Sequence, residues 1–380
     1  MGETIYKTLD EVASIEFGTR VVKSKVAGTQ YPVYGGGGET FRIDSYNREN
    51  RVVVGRFALS KQCTRFVSGK FFLNDSGLTV KTKDATVLIQ DLLDKLILYS
   101  NDLIYNLARG AGQKNLNIND FKELKISFPL NIEKQQHIVK ILDKAEEIHT
   151  KKKLANEKLD EFLKSTFIDM FGDPVTNPNN YQFVCLGDLT TEICDIGSNG
   201  SNAVVAKNLK MSDTEDYAYM IRAVNFSDNN IFENMKYVSK EVYDFFRKSQ
   251  IFGNEIIMCK IGSAGKFWLM PKLNKPTSLG LNSFLMRFND NTNRIFIYHY
   301  LNTSYGQIEI NTRVSGAVTK SITKGAIRTI PVYLPDIKQQ NQFAQIVQKA
   351  EAQKKKNQKV IEQMDNLFNS LMQQAFNSSL

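Results

Sequence analysis

A long stretch without proline or glycine, residues 131–171, constrains the fold of this chain more than any other feature. Apolar residues recur in it at alternating steps of three and four, which is the spacing of a coiled-coil seam. Pro129 precedes the stretch and Gly172-Asp173-Pro174 follows it, so both ends carry helix-boundary signals. The sequence therefore predicts one helix of about 40 residues, roughly 60 Å long, whose apolar stripe needs a partner helix.

A second stretch of the same kind, residues 336–376, supplies that partner. Adding 205 to each residue number aligns the two stretches without a gap, and 11 of the 40 residue pairs between 132–171 and 337–376 are identical. We predict that the two helices pair antiparallel within one chain, because a parallel pair would require the second globular domain to span the whole helix length. This duplication is an internal repeat, with a period far too long for a solenoid.

The predicted seam contains mostly apolar positions with a polar middle. A polar residue in a seam fixes the register of the pair at a cost in stability, and we expect Lys152 to lie near Asn357. In the first helix the predicted seam residues are Ile138, Ile141, Ala145, Ile148, Lys152, Ala155, Leu159 and Phe162. In the second helix they are Phe343, Ile346, Ala350, Gln353, Asn357, Val360, Met364, Leu367 and Leu371.

The repeat extends upstream of both helices into non-helical sequence. Residues 109–116 read RGAGQKNL and residues 315–322 read SGAVTKSI, and each is followed by a strand-like run that ends in proline. The starts of the two globular parts also correspond, as YKTLDEV at 6–12 and FVCLGDL at 183–189. The chain is therefore expected to contain mixed α and β structure, an α+β fold, ordered as domain, helix, domain, helix.

Basic and amide side chains cluster near the two glycine turns and near predicted strands. Arginine and lysine can bind phosphates or guanine, and asparagine and glutamine can pair with adenine. For each single residue, an ordinary solvated loop is the alternative interpretation. The candidate DNA-binding residues are Arg56, Lys61, Arg65, Arg109, Gln113, Lys114 and Asn115 in the first domain, and Lys260, Lys266, Arg313, Thr319, Lys320 and Lys324 in the second.

Two glycine-rich segments resemble phosphate-binding loops only superficially. Residues 35–38 are four glycines after an apolar strand, but neither a helix start nor a Gly-Lys-Ser/Thr sequence follows. We interpret them as a flexible turn, with a close backbone approach to DNA as the alternative. Residues 262–266 read GSAGK, and they lack the first glycine of a Walker motif because position 260 is lysine.

The duplicated order of these motifs resembles the specificity subunit of a type I restriction–modification system. The residues that carry the resemblance are YPVYGG at 31–36, the two glycine-turn-to-proline segments, the KQQ and KQQN helix starts, and FGDP at 171–174. The resemblance implies two target-recognition domains, residues 1–130 and 181–335, separated by helices at 131–172 and 336–380 that form an intramolecular antiparallel coiled coil, with a linker at 173–180. It also implies that each domain reads one half of a split, non-palindromic DNA site.

The same resemblance implies that catalysis belongs to other subunits. Two methyltransferase subunits and restriction/translocase subunits are expected as partners, and S-adenosylmethionine, ATP and Mg²⁺ are expected on them, with no cofactor in this chain. The sequence agrees with this, because it contains no metal-binding motif and no Asn/Asp-Pro-Pro-aromatic motif of an amino methyltransferase. Two alternatives remain: a self-contained DNA methyltransferase or nuclease, and a structural coiled-coil spacer.

Charge and cysteine usage are compatible with a DNA-binding protein of the bacterial or archaeal cytoplasm. The formal net charge is +9, which favours a polyanionic partner, although a basic protein with no such partner remains possible. The four cysteines, Cys63, Cys185, Cys194 and Cys259, form no C-x-x-C pair and are expected to be reduced core residues. No signal peptide and no membrane span are expected.

Overall fold

The computed structural model describes residues 4–26, 28–226 and 230–376, and the side chains of all of these except 369 and 371–376. The chain divides into two compact units, residues 1–154 with 357–380, and residues 155–356. Two 40-residue helices, α5 (Ile132–Phe171) and α12 (Ile337–Phe376), each contribute one part to each unit. Both long helices predicted from the sequence are therefore present.

The first unit is built on a six-stranded sheet with strand order β2-β7-β5-β6-β3-β4. Strand β1 pairs antiparallel with β10, which leads into α5. The elements before α5 are β1 (Thr4–Thr8), α1 (Leu9–Val12), β2 (Ala13–Phe17), β3 (Tyr31–Gly35), β4 (Gly38–Ile43), β5 (Arg48–Gly55), β6 (Thr64–Leu73), β7 (Gly77–Thr82), α2 (Gln90–Tyr99), α3 (Asn101–Asn106), β8 (Ala108–Arg109), β9 (Asn115–Leu116), α4 (Ile118–Lys122) and β10 (Lys125–Pro129).

Both faces of β5 are buried in this sheet, which explains its continuous Val-Val-Val run. Val52 and Val54 pack in the same core cluster as the buried residues of α2. Val53 points to the other face and packs with Phe71 and Leu73. The apolar residues of α2 face this core.

The second unit contains two four-stranded sheets, ordered β12-β19-β16-β17 and β14-β13-β18-β15. Strand β11 pairs with β20 just before α12, as β1 pairs with β10 before α5. The elements are β11 (Phe183–Cys185), α6 (Leu186–Leu189), β12 (Thr190–Cys194), α7 (Asn202–Asn208), β13 (Ala218–Ile221), β14 (Lys236–Val238), α8 (Lys240–Phe245), β15 (Gln250–Ile251), β16 (Ile256–Cys259), β17 (Phe267–Leu269), β18 (Thr277–Leu279), β19 (Ser283–Phe288), α9 (Arg294–Leu301), α10 (Ser304–Thr312), α11 (Lys324–Arg328) and β20 (Pro331–Tyr333).

Residues 294–312 of the second unit form two helices, α9 and α10, instead of one. The Thr303 hydroxyl caps the second one by accepting a hydrogen bond from the Gly306 backbone N–H at 3.1 Å. An N-terminal cap starts a new helix, so the chain turns between α9 and α10. The apolar pattern alone could not distinguish this break from a continuous helix.

The two long helices pack antiparallel within each unit. In the second unit the Phe167 and Phe171 rings, near the end of α5, lie 5.4 and 5.6 Å from the Phe343 ring, near the start of α12. In the first unit Ile138, near the start of α5, and Phe368, near the end of α12, pack against the same core cluster. The end of each helix therefore lies with the start of the other, and the predicted antiparallel coiled coil is confirmed.

The buried stripe differs from the predicted seam at several positions. Phe162 is 50% exposed, while its neighbour Leu163 is 2% exposed; Leu367 is 42% exposed and Gln353 is also exposed. A strict heptad repeat had placed Phe162, Leu367 and Gln353 on the seam. The helices also pack against their domains, so the buried face turns by about one residue where Phe167 stacks on Phe296 of α9, with ring centroids 5.5 Å apart.

The other seam residues are buried or half-buried where their side chains are described. Asn357 is 2% exposed and Lys152 is half-buried, so both polar positions lie at least partly inside the pair. The proximity of Lys152 to Asn357 stays a prediction. The buried seam residues are Ala145, Phe343 and Ala350, and the half-buried ones are Ile138, Ile141, Ile148, Ala155, Leu159, Ile346, Val360 and Met364. The Leu371 side chain lies outside the described residues.

Three of the four cysteines, Cys63, Cys194 and Cys259, are buried and free, but Cys185 is exposed and is therefore no core residue. Among the described residues, no helix is both long enough and apolar enough to cross a membrane.

Candidate nucleic-acid interface

The two glycine turns found in the sequence have the same backbone form in both domains. Residues 109 and 115 pair across the first turn, and residues 315 and 321 pair across the second. Gly110 has φ +125° and Gly316 has φ +104°, and a Cβ added there would lie 2.1 Å from the Gln113 carbonyl oxygen or 2.2 Å from the Thr319 carbonyl oxygen. Only glycine fits either position without strain.

Each turn is hydrogen-bonded to the loop that follows the central strand of its sheet. In the first domain the Leu116 N–H donates to the Arg56 carbonyl at 2.8 Å, and in the second the Ile322 N–H donates to the Lys260 carbonyl at 3.0 Å. These bonds bring two separated segments together in each domain. We call residues 56–61 with 109–115 the domain 1 head, and residues 260–266 with 315–324 the domain 2 head.

The domain 1 head presents a cation held against aromatic rings. The Arg56 guanidinium carbon lies 4.4 Å from the centroid of Phe17 and 4.7 Å from that of Phe57. Lys114 Nζ lies 4.4 Å from the centroid of Tyr105. Cation–π contacts of this kind orient a positive group without neutralising it, so both cations keep their charge at the surface.

The remaining predicted residues of this head are exposed and differ in their contacts. Arg109 pairs with Asp120 at 2.5 Å, although its side chain is largely exposed. The Asn115 side-chain oxygen accepts a hydrogen bond from the Ala58 N–H at 3.1 Å and fixes the loop. Lys61 and Gln113 are exposed. The head therefore combines structural anchors with side chains that can reach a partner.

Arg65 lies over the glycine hairpin instead of in the head. Its Nη2 donates to the Gly36 carbonyl at 2.9 Å, and a Cβ on Gly38 would lie 2.6 Å from its Nη1. Gly35 and Gly38 pair between β3 and β4, so residues 35–38 form a tight hairpin turn. Gly38 makes room for Arg65, while a Cβ on Gly35 or Gly36 would lie 2.4 or 2.8 Å from an oxygen of Ser76. Packing within the domain therefore accounts for three of these four glycines.

The domain 2 head holds its central cation with a carboxylate. Lys260 Nζ lies 2.8 Å from Asp195 Oδ2, and Lys324 Nζ donates to the Ser198 hydroxyl at 3.2 Å beside the same carboxylate. Burial alone would raise the pKa of Asp195, but the hydrogen bonds from Lys260 and Ser198 outweigh burial and lower that pKa below its ordinary value. Lys266, Thr319 and Lys320 are exposed.

Arg313, predicted to touch DNA, is engaged within its own domain. Its guanidinium pairs with Glu309 at 2.6 Å and donates to the Thr329 carbonyl at 2.9 Å and hydroxyl at 3.0 Å. This geometry favours a structural role for Arg313 and leaves Lys320 as an exposed cation on the turn.

Sequence reasoning missed the residues that orient the cations. Phe17 and Asp195 lie at or just after the ends of β2 and β12, the first sheet strands of the two domains, and far along the chain from the cations they contact. Tyr105 and Phe57 were also missed. Phe57 directly follows Arg56, and this pairing was the one signal in the sequence that could have been used.

No group of three or more His, Cys, Asp or Glu side chains that could hold a metal ion occurs within residues 4–26, 28–226 and 230–376. Each head places cations beside a glycine turn that permits close approach, with the amides of Gln113 and Asn115 in domain 1 and the Thr319 hydroxyl in domain 2, an arrangement suited to binding.

Comparison with known proteins gives a family and two similar structures. A family model described as "Type I restriction modification DNA specificity domain" matches residues 3–158 and 178–363. The crystal structure of a type I restriction–modification system S subunit from M. genitalium has a TM-score of 0.66 at 18% identity, with 99% of this chain and 96% of that chain covered.

A second structure comes from work on complex assembly and conformational transition of the type I R-M system. It has a TM-score of 0.53 at 14% identity, with 100% of this chain and 98% of that chain covered. At these identities the structures show a shared fold. A search of curated proteins gave no match. The family model covers most of the chain in two copies, one for each half of the repeat, so the chain belongs to the type I restriction–modification DNA specificity family, whose members are the non-catalytic DNA-recognition components of these systems.

Proposed function

We propose that this chain reads a bipartite, non-palindromic DNA site, with domain 1 reading one half and domain 2 the other. The observation that carries the proposal is the duplicated head, in which the same glycine turn is anchored to the same strand exit. The side chains on the two turns differ, with Gly112-Gln113-Lys114 in one and Val318-Thr319-Lys320 in the other. Equal frames that carry different side chains suit two different short sequences.

Charge supports double-stranded DNA as the partner. The net charge of +9 favours a polyanion, and each head exposes lysines beside a turn that permits close approach. Amides and hydroxyls on the same turns add groups that can read base edges. A purely structural spacer would need neither the duplicated turns nor the cations oriented by aromatic rings.

We further propose that the chain holds two methyltransferase subunits, together with restriction/translocase subunits. The internal repeat supports this stoichiometry, because two similar units offer two similar docking surfaces. S-adenosylmethionine, ATP and Mg²⁺ then belong to those partners. Native mass spectrometry of the complex at saturating methyltransferase tests the number, and one methyltransferase per chain would contradict it.

Lys114 and Lys320 provide a matched pair for testing the division of labour, because they occupy equivalent exposed positions on the two turns. The recognition sequence is first selected from random duplexes with the purified complex. Binding is then measured for Lys114→Ala and Lys320→Ala on the full site and on sites with either half scrambled.

We expect each variant to weaken binding most when its own half-site is intact, and to match the wild-type chain when that half is scrambled. Each variant is the control for the other, since both remove one lysine from the same place in a head. Equal losses for both variants on every duplex would contradict the proposed division, as would the absence of any selected sequence.

A further inference from the structure

Arg56 occupies a built position at the centre of the domain 1 head. Its guanidinium contacts the rings of Phe17 and Phe57, at 4.4 and 4.7 Å from their centroids. These rings are 46% and 43% exposed, which is unusual for phenylalanine in a folded domain. Two large apolar side chains are thus kept at the surface beside one cation, and the fold core does not require them there.

The hydrogen bonds of Arg56 leave most of its donors available. Within the part of the chain that the structure describes, its guanidinium makes one hydrogen bond, from Nη1 to the Asp75 carbonyl oxygen at 2.9 Å. A guanidinium carries five N–H groups in a fixed plane, and no carboxylate pairs with Arg56 in the described residues. The remaining donors are therefore oriented but unused.

This arrangement favours a base edge over a phosphate as the ligand. Rings against the guanidinium restrict its orientation and exclude water near it, which strengthens in-plane hydrogen bonds. A phosphate can also accept two parallel bonds from an arginine, but its oxygens accept hydrogen bonds from many directions, so it depends less on a fixed plane than a base edge does. A guanine O6/N7 edge accepts two parallel bonds from one arginine.

The equivalent residue of domain 2, Lys260, differs from Arg56 in its side-chain partner. Lys260 has the same backbone bond to its turn as Arg56, but Asp195 pairs with its Nζ at 2.8 Å. A lysine has no planar pair of donors, and the carboxylate of Asp195 already occupies this one. The same place in the fold is therefore a donor site in domain 1 and an internal ion pair in domain 2.

We infer that Arg56 reads a guanine in the half-site of domain 1, with Phe17 and Phe57 as positioning residues that fix its plane. The inference rests on the proposed function and goes further by assigning one base type to one residue. A guanine bound in this way loses one of its two acceptors when N7 is replaced by carbon.

The test uses the full-length chain in its complex and the selected site. Duplexes carry 7-deazaguanine at each guanine of the domain 1 half-site in turn, and binding is measured for wild type, Arg56→Met and Arg56→Ala. We expect one position at which 7-deazaguanine weakens wild-type binding about 10-fold. At that position both variants bind the two duplexes equally, because the contact is already lost. Phe57→Leu is expected to reduce the discrimination in part.

Arg42→Ala controls for loss of one arginine from the same domain, since Arg42 lies on the edge strand β4, at the opposite edge of the sheet from the strand of Phe17. It should keep full 7-deazaguanine sensitivity. Circular dichroism melts identify any variant that fails to fold, and Arg56→Met, which keeps most of the aliphatic stem but has no hydrogen-bond donor, then decides the question.

Several results would overturn the inference while leaving the two-reader proposal intact. One is a domain 1 half-site without guanine, and another is sensitivity to 7-deazaguanine that persists in Arg56→Met. A third is a loss for Arg56→Ala that is equal on specific and scrambled DNA, which marks a phosphate contact. A failure of the proposed function is different, because neither Lys114→Ala nor Lys320→Ala would then show any half-site preference.

Discussion

At the scale of single residues, two glutamines show how the repeat is held together. Gln135 and Gln340 are fully buried at the starts of α5 and α12. The Gln135 amide donates to the Val87 and Pro129 carbonyls at 2.7 and 2.8 Å, and its oxygen accepts from the Ile89 N–H at 2.9 Å. Gln340 makes the corresponding bonds, which explains why this residue is identical in both copies.

Gln135→Ala is therefore expected to destabilise the first unit, because it leaves buried backbone groups without partners. The expected loss in the free energy of unfolding is about 1–3 kcal/mol. Urea unfolding followed by circular dichroism measures it. Gln136→Ala is the control, since Gln136 is the exposed neighbour on the same helix. An equal effect of both substitutions would show that the buried hydrogen bonds of Gln135 do not contribute to the free energy of unfolding.

A buried carboxyl group on α2 makes stability depend on pH. Asp94 is 8% exposed, and burial raises its pKa to about 6, although a hydrogen bond from Gln90 at 2.8 Å acts in the other direction. Between pH 3.8 and about 6 the folded chain binds more protons at this carboxyl than the unfolded chain does. The contribution of Asp94 to stability therefore falls as the pH rises through that window.

Asp94→Asn removes the charge and can still accept the hydrogen bond from Gln90. We expect the variant to be more stable than wild type by about 1–3 kcal/mol at pH 7, and the difference to shrink toward zero as the pH falls from about 6 to 3.8. Urea unfolding of both proteins at pH 7 and at pH 4 measures this. Asp91→Asn changes the net charge equally at an exposed position of the same helix. A pH-independent difference would rule out the titration of Asp94 as its cause.

At the scale of elements, the long helices were predictable because a period of 3.5 over 40 residues is a strong local signal. The side of the helix that is buried was less predictable. A prediction from the heptad repeat treats the partner helix as the only surface that buries the stripe. In the structure, Leu163 and Phe167 also pack against the domain core. This second partner explains why Leu163 is buried in place of Phe162.

The glycine turns were also predictable, because their signal lies in a few consecutive residues. The two heads were predictable only in part. Arg56 and Lys114 were identified from their residue types, but two of the three rings that hold them, Phe17 and Tyr105, come from β2 and α3, which only the folded chain brings near. The internal pairing of Arg313 also depends on Thr329, 16 residues further along the chain. Residue type indicates what a side chain can bind, and tertiary contacts decide whether it is available.

The backbone of the turn can be tested separately from its side chains. Gly316→Ala places a Cβ against the Thr319 carbonyl at a φ of +104°, so we expect the domain 2 turn to change shape and its half-site to be bound at least several-fold more weakly. Binding to a duplex with that half scrambled should be unchanged. Gly112→Ala is the control, because a Cβ there meets nothing within 4 Å. Equal losses of binding affinity for the two substitutions would show that the shape of the turn does not determine recognition.

At the scale of the whole molecule, the chain contains two units that have the same arrangement of domain and helix segments. Each unit contains one domain, the first part of the helix that follows it, and the last part of the other long helix. Neither unit is therefore formed from one continuous segment. The two heads have kept the same frame while their cations came to differ, with Arg56 on aromatic rings and Lys260 on a carboxylate. That difference supports the proposed non-palindromic site.

The shared helices lead to a last prediction, about the spacer between the two half-sites. If the helices set the distance between the readers, one added heptad in both, after Leu154 and before Asn357, should lengthen it. Seven residues add about 10 Å, which corresponds to roughly three base pairs. A heptad keeps the seam in phase, so the pair should still form. We expect the variant to bind the original site poorly and to prefer a longer spacer, by at most about three base pairs, with both half-site sequences unchanged.

Selection from duplexes that carry the two half-sites at every spacer length measures this preference directly. The control is a chain in which the added seven-residue sequences replace native heptads at the same two places. Its composition then changes while its helix length does not. That chain should keep the original spacer. An inserted variant that also keeps it would mean that the helices do not set the distance. A variant that binds all spacers equally would mean that the two domains read DNA independently of each other, since a fixed connection must favour one length over the rest.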